Sequence, residues 1–112
     1  MVPAAYFIWR KPYMVAGMGT FIDEMLRRAG FRNVFENLAR YPEITAEQLQ
    51  QAAPQQILLS SEPYPFQEKH LAEFRALCPG AEVRIVDGEL FSWYGSRLRL
   101  SAAYLRQLNL VD

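Results

Sequence analysis

The feature that most constrains this chain is its alternation of short apolar runs with amphipathic segments of helical spacing. No hairpin turn signal joins one apolar run directly to the next. Ala4-Ala5-Tyr6-Phe7-Ile8-Trp9, Gln56-Ile57-Leu58-Leu59-Ser60 and Glu82-Val83-Arg84-Ile85-Val86 each stop at polar or proline-rich sequence. A short continuous apolar run reads as a strand covered on both faces. Asn33-Val34-Phe35 reads as a further brief strand.

The segments between the runs carry helix signals. Thr20 is an N-cap, with Asp23 and Glu24 in the first turn and Gly30 just past the end. Phe21, Ile22, Met25, Leu26 and Ala29 recur at helical spacing between them. Thr45-Ala46-Glu47-Gln48 is a capping box opening a helix through Leu49 and Ala52, which Pro54 closes. Gln67 to Leu77 puts Leu71, Phe74 and Leu77 on one side, and a last helix carries Leu98, Ala102, Leu105 and Leu108. Strand and helix alternating in this way predict an α/β fold, a mostly parallel, Rossmann-like sheet flanked by helices. At 112 residues there is room for one core, so residues 1–112 are expected to form a single lobe.

Composition excludes several functions. Twelve basic and twelve acidic residues cancel, so nothing points to nucleic acid as partner. Cys78, the lone cysteine, rules out an internal disulfide and reads as a half-buried structural thiol. No stretch reaches the roughly 20 apolar residues of a membrane span, and no secretory signal is visible, which leaves a cytoplasmic location open. Metal-ligand spacing is missing, so no metal site is expected. His70, the only histidine, lies in Glu68-Lys69-His70-Leu71 and is expected on a solvated helix position rather than in a catalytic one. No catalytic residue is assigned, and the chain is read as a non-enzyme.

In parallel sheets, ligands sit beyond the carboxyl ends of the strands. Those ends lead here into Trp9-Arg10-Lys11-Pro12-Tyr13, Glu62-Pro63-Tyr64-Pro65-Phe66, and Asp87 to Arg97. Large aromatics beside arginines suit a wide, flat, partly charged ligand, with rings on its face and guanidinium groups on its carboxylates. The candidate ligand-binding residues are Trp9, Arg10, Tyr13, Tyr41, Trp93, Tyr94 and Arg97. A second reading is a small cytoplasmic α/β enzyme or regulatory domain that binds a nucleotide or flat cofactor. It would use Gly17 and Gly19 before the Thr20 helix, with Asp87 and Glu89 as the working carboxylates.

Several segments, in order, resemble the C-terminal lobe of the helical-backbone substrate-binding proteins, the cobalamin, haem and ferric-siderophore receptors of ABC importers. They are Trp9 to Gly17 followed by Thr20-Phe21-Ile22, Leu26 to Phe35, Tyr41 to Glu47, Pro54 to Leu59, and Asp87 to Arg97. The resemblance implies one lobe of a two-lobed protein, periplasmic or at the cell surface, whose N-terminal lobe is absent from this sequence. It implies a metal-chelate ligand (corrinoid, haem or ferric siderophore) in place of a cofactor, and ABC permease subunits as partners. Tyr41 falls where the cobalamin receptor sets an aromatic ring against its ligand, and Glu47 matches the surface glutamate that pairs with arginines of the permease. An aromatic half-cleft left open also leads to the expectation that the isolated lobe forms a homodimer.

Overall fold

The computed structural model describes residues 1–89. The expected last helix and the loop residues Trp93, Tyr94 and Arg97 lie outside the described residues. The architecture is three-layered. One six-stranded sheet runs in the order β4-β2-β1-β5-β6, with β3 beside the first half of β1. Its strands are β1 (Val2–Trp9), β2 (Tyr13–Val15), β3 (Phe31–Asn33), β4 (Glu43–Ile44), β5 (Gln56–Ser60) and β6 (Glu82–Val86). The helices are α1 (Phe21–Arg28), α2 (Ala46–Ala52) and α3 (Leu71–Leu77), the last entered through a 3-10 turn at Glu68–His70.

The apolar runs become strands because β1 and β5 are covered on both faces. Alternation along β1 sends Ala4 and Tyr6 to one side, where they pack with Ile22, Met25 and Leu26 of α1 and with Leu58. Ala5 and Phe7 go to the other side, against Leu49 of α2, Phe74 of α3, Ile57 and Leu59. β1 pairs in parallel with β5, and β5 with β6, so the carboxyl ends of all three strands lie at one edge.

The sheet is less uniformly parallel than expected. β2 returns antiparallel to β1, with Phe7 opposite Val15 and Trp9 opposite Met14, and β4 adds antiparallel to β2. This hairpin escaped the sequence reading because its turn lacks an Asn-Gly or Asp-Gly pair. It is made instead by Lys11 in the left-handed region, at φ 61°, and a cis Lys11–Pro12 bond.

The helix ends follow their signals. Thr20 Oγ1 accepts the Asp23 N–H at 3.0 Å and donates to the Gly17 carbonyl at 2.8 Å. Thr45 and Gln48 close a reciprocal capping box at 3.1 and 2.8 Å. The third strand sits two residues earlier than expected. Asn33 ends it, because its side chain turns inward to bond the Ala16 carbonyl, Asp23 Oδ1 and the Phe35 N–H at 2.9–3.0 Å.

Candidate functional site

At the carboxyl ends of β1 and β5, on the α1 side, lies an open depression of about 370 Å³. Tyr6 and Ile8 of β1 and Ser60 of β5 share its floor, two residues apart on the strand and so on one face. Phe21 and Ile22 at the start of α1, with Tyr41, form one wall, and Glu62, Pro63 and Gly88 the other. A side chain on Gly88 would strike Ser60 and Glu62, so this position keeps the far wall low.

Tyr41 is set by backbone. Residues 38–40 lie against residues 17–18, with Gly17 N–H to the Arg40 carbonyl at 2.6 Å, Met18 N–H to the Leu38 carbonyl at 2.7 Å and Arg40 N–H to the Met18 carbonyl at 2.8 Å. The approach is so close that a Cβ on Gly17 would overlap the Leu38 carbonyl oxygen. Gly17 is therefore a contact glycine, and the Thr20 hydroxyl beyond it is spent on the helix cap. Tyr41 is left 41% exposed.

The other candidates lie on the opposite side of β1. Trp9 is 37% exposed and meets the Tyr64 ring edge-on, 5.3 Å between centroids. Arg10 and Tyr13 converge on Glu73 of α3. Arg10 Nε donates at 2.9 and 3.1 Å and Nη2 at 2.6 Å, while the Tyr13 hydroxyl donates at 2.5 Å. Such a bidentate pair is among the stronger polar contacts a protein makes. The guanidinium holds the Glu73 carboxyl below the usual carboxylate range. Burial, with the Glu73 hydrogen bond second, pushes the Tyr13 phenol up to about 12. Hydrogen bonding to Glu73, reinforced by Tyr64, raises Arg10 further and keeps it charged.

The structure thus divides the aromatic set. Tyr41 borders the depression, Trp9 stands at the hairpin tip, and Arg10 and Tyr13 are tied to α3. Glu47 is exposed in the first turn of α2. Sequence reasoning missed Glu73, because a single carboxylate on an amphipathic helix carries no spacing signal for partners in a turn 60 and 63 positions away.

His70 corrects an expectation. It is not solvated but 8% exposed, its Nδ1 accepting the Gln67 N–H at 2.9 Å and its ring packed edge-on to Tyr64 and Phe66. His70 closes the 3-10 turn just before α3 begins at Leu71, so it does not occupy the mid-helix position expected for it. Cys78 is buried, which raises its thiol pKa. Asp87 caps its own loop, accepting the Glu89 N–H at 2.9 Å. Among the described residues, no group of three potential ligands could hold a metal ion, and no helix is long and apolar enough to cross a membrane.

The profile of the periplasmic binding protein family matches residues 1–77. The chain belongs to this family. Its members bind solutes and are not enzymes, which removes the ground for the nucleotide-enzyme reading. Among curated proteins, none matches by sequence. Among solved structures, the periplasmic haem-binding protein BhuT in complex with two haems superposes with a TM-score of 0.77 at 29% identity, over 96% of this chain and 44% of that one. A periplasmic solute-binding protein from Staphylococcus epidermidis gives 0.78 at 17% identity, over 95% and 44%. The vitamin B12-binding protein BtuF of Vibrio cholerae gives 0.65 at 20% identity, over 94% and 44%. The chain therefore spans less than half the length of these family members, and its α/β fold is that of one of their lobes.

Proposed function

We propose that this chain is the C-terminal lobe of a two-lobed solute-binding protein that captures a metal chelate of the haem or corrinoid type for an ABC importer. The observation that carries this reading is the open, largely apolar depression at the carboxyl ends of β1 and β5, with the exposed Tyr41 ring at its edge. A concave apolar surface with a few polar groups is what a large planar ligand needs. The likeness at 29% identity to a haem-binding protein supports haem, and the B12-binding relative keeps corrinoids in the same class; ferric siderophores fill the same role in the resemblance. The location would be periplasmic or at the cell surface. Tyr41 would be the ring of the described residues that faces the ligand in the depression; Trp9, at the hairpin tip on the other side of β1, would meet only a ligand wide enough to reach over the end of that strand, with Arg10 and Tyr13 holding the tip in place. Trp93, Tyr94 and Arg97 would complete the wall.

Glu47 would be the contact to the permease. An exposed rim carboxylate orients docking more than it adds affinity. In the isolated lobe the uncovered rings would favour a homodimer.

The test is a tryptophan-fluorescence titration of the two-lobed protein with haemin, cyanocobalamin and a ferric siderophore. Saturable quenching by one of them is expected, weakened about tenfold or more by Tyr41→Ala, since a buried aromatic side chain is worth about 1.5–3 kcal/mol. No response to any chelate would sink the proposal. Glu47→Lys should leave the titration unchanged and impair uptake; loss of ligand binding there would contradict the docking role.

A further inference from the structure

Two arginines are the chain neighbours of the exposed aromatic residues Trp9 and Tyr41, and they are in opposite situations. Arg10 follows Trp9, but its guanidinium is already matched by the Glu73 carboxylate at 2.6–3.1 Å. An anionic ligand group would have to displace a carboxylate that Tyr13 also holds, and would leave that carboxylate half-buried without its cation. Arg40 directly precedes Tyr41. It is exposed and forms no ion pair with any described residue. Lys11, an exposed cation on the β1–β2 turn, stands beside Trp9 and away from the depression.

Arg40 is also in the left-handed region, at φ 61°. That conformation costs an L-residue with a Cβ roughly 1–2 kcal/mol relative to the right-handed one. It persists because the three short backbone hydrogen bonds to residues 17–18 determine it from both sides. Glycine or asparagine would stand there at less cost. The chain keeps a long cation at a strained position whose neighbour borders the depression.

We propose that Arg40, and not Arg10, is the cation among the described residues that pairs with an anionic substituent of the ligand. The lobe then selects carboxylate-bearing chelates, such as a porphyrin with propionate arms, over neutral ones of similar size. This rests on the reading of the depression as the chelate site. Arg40 does not itself line the depression, but it directly precedes Tyr41, so a planar ring lying against Tyr41 would bring its peripheral groups within reach of a long exposed side chain whose guanidinium can meet a carboxylate with two parallel hydrogen bonds. Because the ligand covers the pair, it is worth more than an open surface ion pair and less than a fully buried one.

The experiment compares haemin with haemin dimethyl ester, which removes the carboxylates and keeps the ring. The titrations use the intact two-lobed protein in wild-type, Arg40→Gln, Arg40→Lys and Arg10→Gln forms, with cyanocobalamin as a neutral reference. Wild type is expected to prefer haemin over its ester. Arg40→Gln should weaken haemin by about five- to tenfold and leave the ester unchanged, a loss of one charge-assisted hydrogen-bonded pair. Arg40→Lys should restore part of the preference, and Arg10→Gln should change both ligands alike.

Equal loss of haemin and ester in Arg40→Gln would overturn the proposal by making Arg40 a structural residue. So would a preference that survives in Arg40→Gln or disappears in Arg10→Gln. Wild type that binds cyanocobalamin and neither porphyrin would overturn it while leaving the chelate site standing. Wild type that binds none of the three would overturn the site along with it.

Discussion

Glu73 shows how much one side chain can do that its sequence context conceals. It takes two donors from Arg10 and one from Tyr13, and so fastens the β1–β2 turn to α3. The sign of its pH dependence follows from the direction of its shift. Arg10 lowers the Glu73 pKa in the folded state, so the stability it gives is fully present above the ordinary carboxylate pKa, near 4, and is lost as pH falls through the lower folded value. Tyr13 moves the other way: its phenol is raised to about 12, so its contribution is intact below about 10 and disappears as pH climbs past the folded value. Glu73→Gln is therefore expected to be destabilising at neutral pH by about 1–3 kcal/mol and to flatten the acid limb of the stability profile. Urea midpoints between pH 7 and 3 read this directly, and parallel acid limbs for wild type and variant would remove Glu73 from the account. The same residue marks a limit of sequence reading. Arg10 and Tyr13 were visible as candidates by residue type, but nothing in spacing reveals that a carboxylate some sixty positions away satisfies both.

At the level of elements, β5, β6 and the caps of α1 and α2 were legible because their causes are local. Apolar runs flanked by proline or polar residues, a threonine before an apolar repeat and a capping box all act within a few positions. β2 and β4 were not legible, being three and two residues long, and their pairing is decided by tertiary contact rather than by pattern. Residues 38–41 belong to the same class. They form no regular element, yet their bonds to Gly17 and Met18 place Tyr41 at the depression. Gly17→Ala tests this dependence. Its methyl group would overlap the Leu38 carbonyl, a backbone atom that cannot turn aside, so the two segments must separate. The expected cost is about 2–4 kcal/mol, seen as a lower thermal midpoint, together with faster hydrogen exchange at the Gly17, Met18 and Arg40 amides. Unchanged protection at those amides would mean that the junction accommodates the methyl group some other way.

Over the described part of the molecule, the two apolar clusters meet only through the sheet, and β1 is the strand that serves both. Ala4 and Tyr6 face α1, while Ala5 and Phe7 face α2 and α3, and all four are fully buried. An arrangement in which alternate residues of one strand anchor opposite layers leaves no plane along which one layer can melt alone. Phe7 makes the case sharply, since its ring meets both Tyr13 and Phe74, at 5.7 and 4.9 Å between centroids. Phe7→Ala is expected to cost about 3–5 kcal/mol, the range for removing a buried phenylalanine. The two faces carry separate reporters. With Trp93 replaced by phenylalanine, the signal of Trp9, against Tyr64, senses the α3 side, whereas amide exchange in Met25 and Leu26 of α1 senses the other. If β1 couples the layers, the variant should show coincident loss of both signals along a denaturant series and one unfolding transition. Protection of α1 that outlasts the tryptophan signal would instead mean that the α1 layer, with its wall of the depression, is an independent unit of folding.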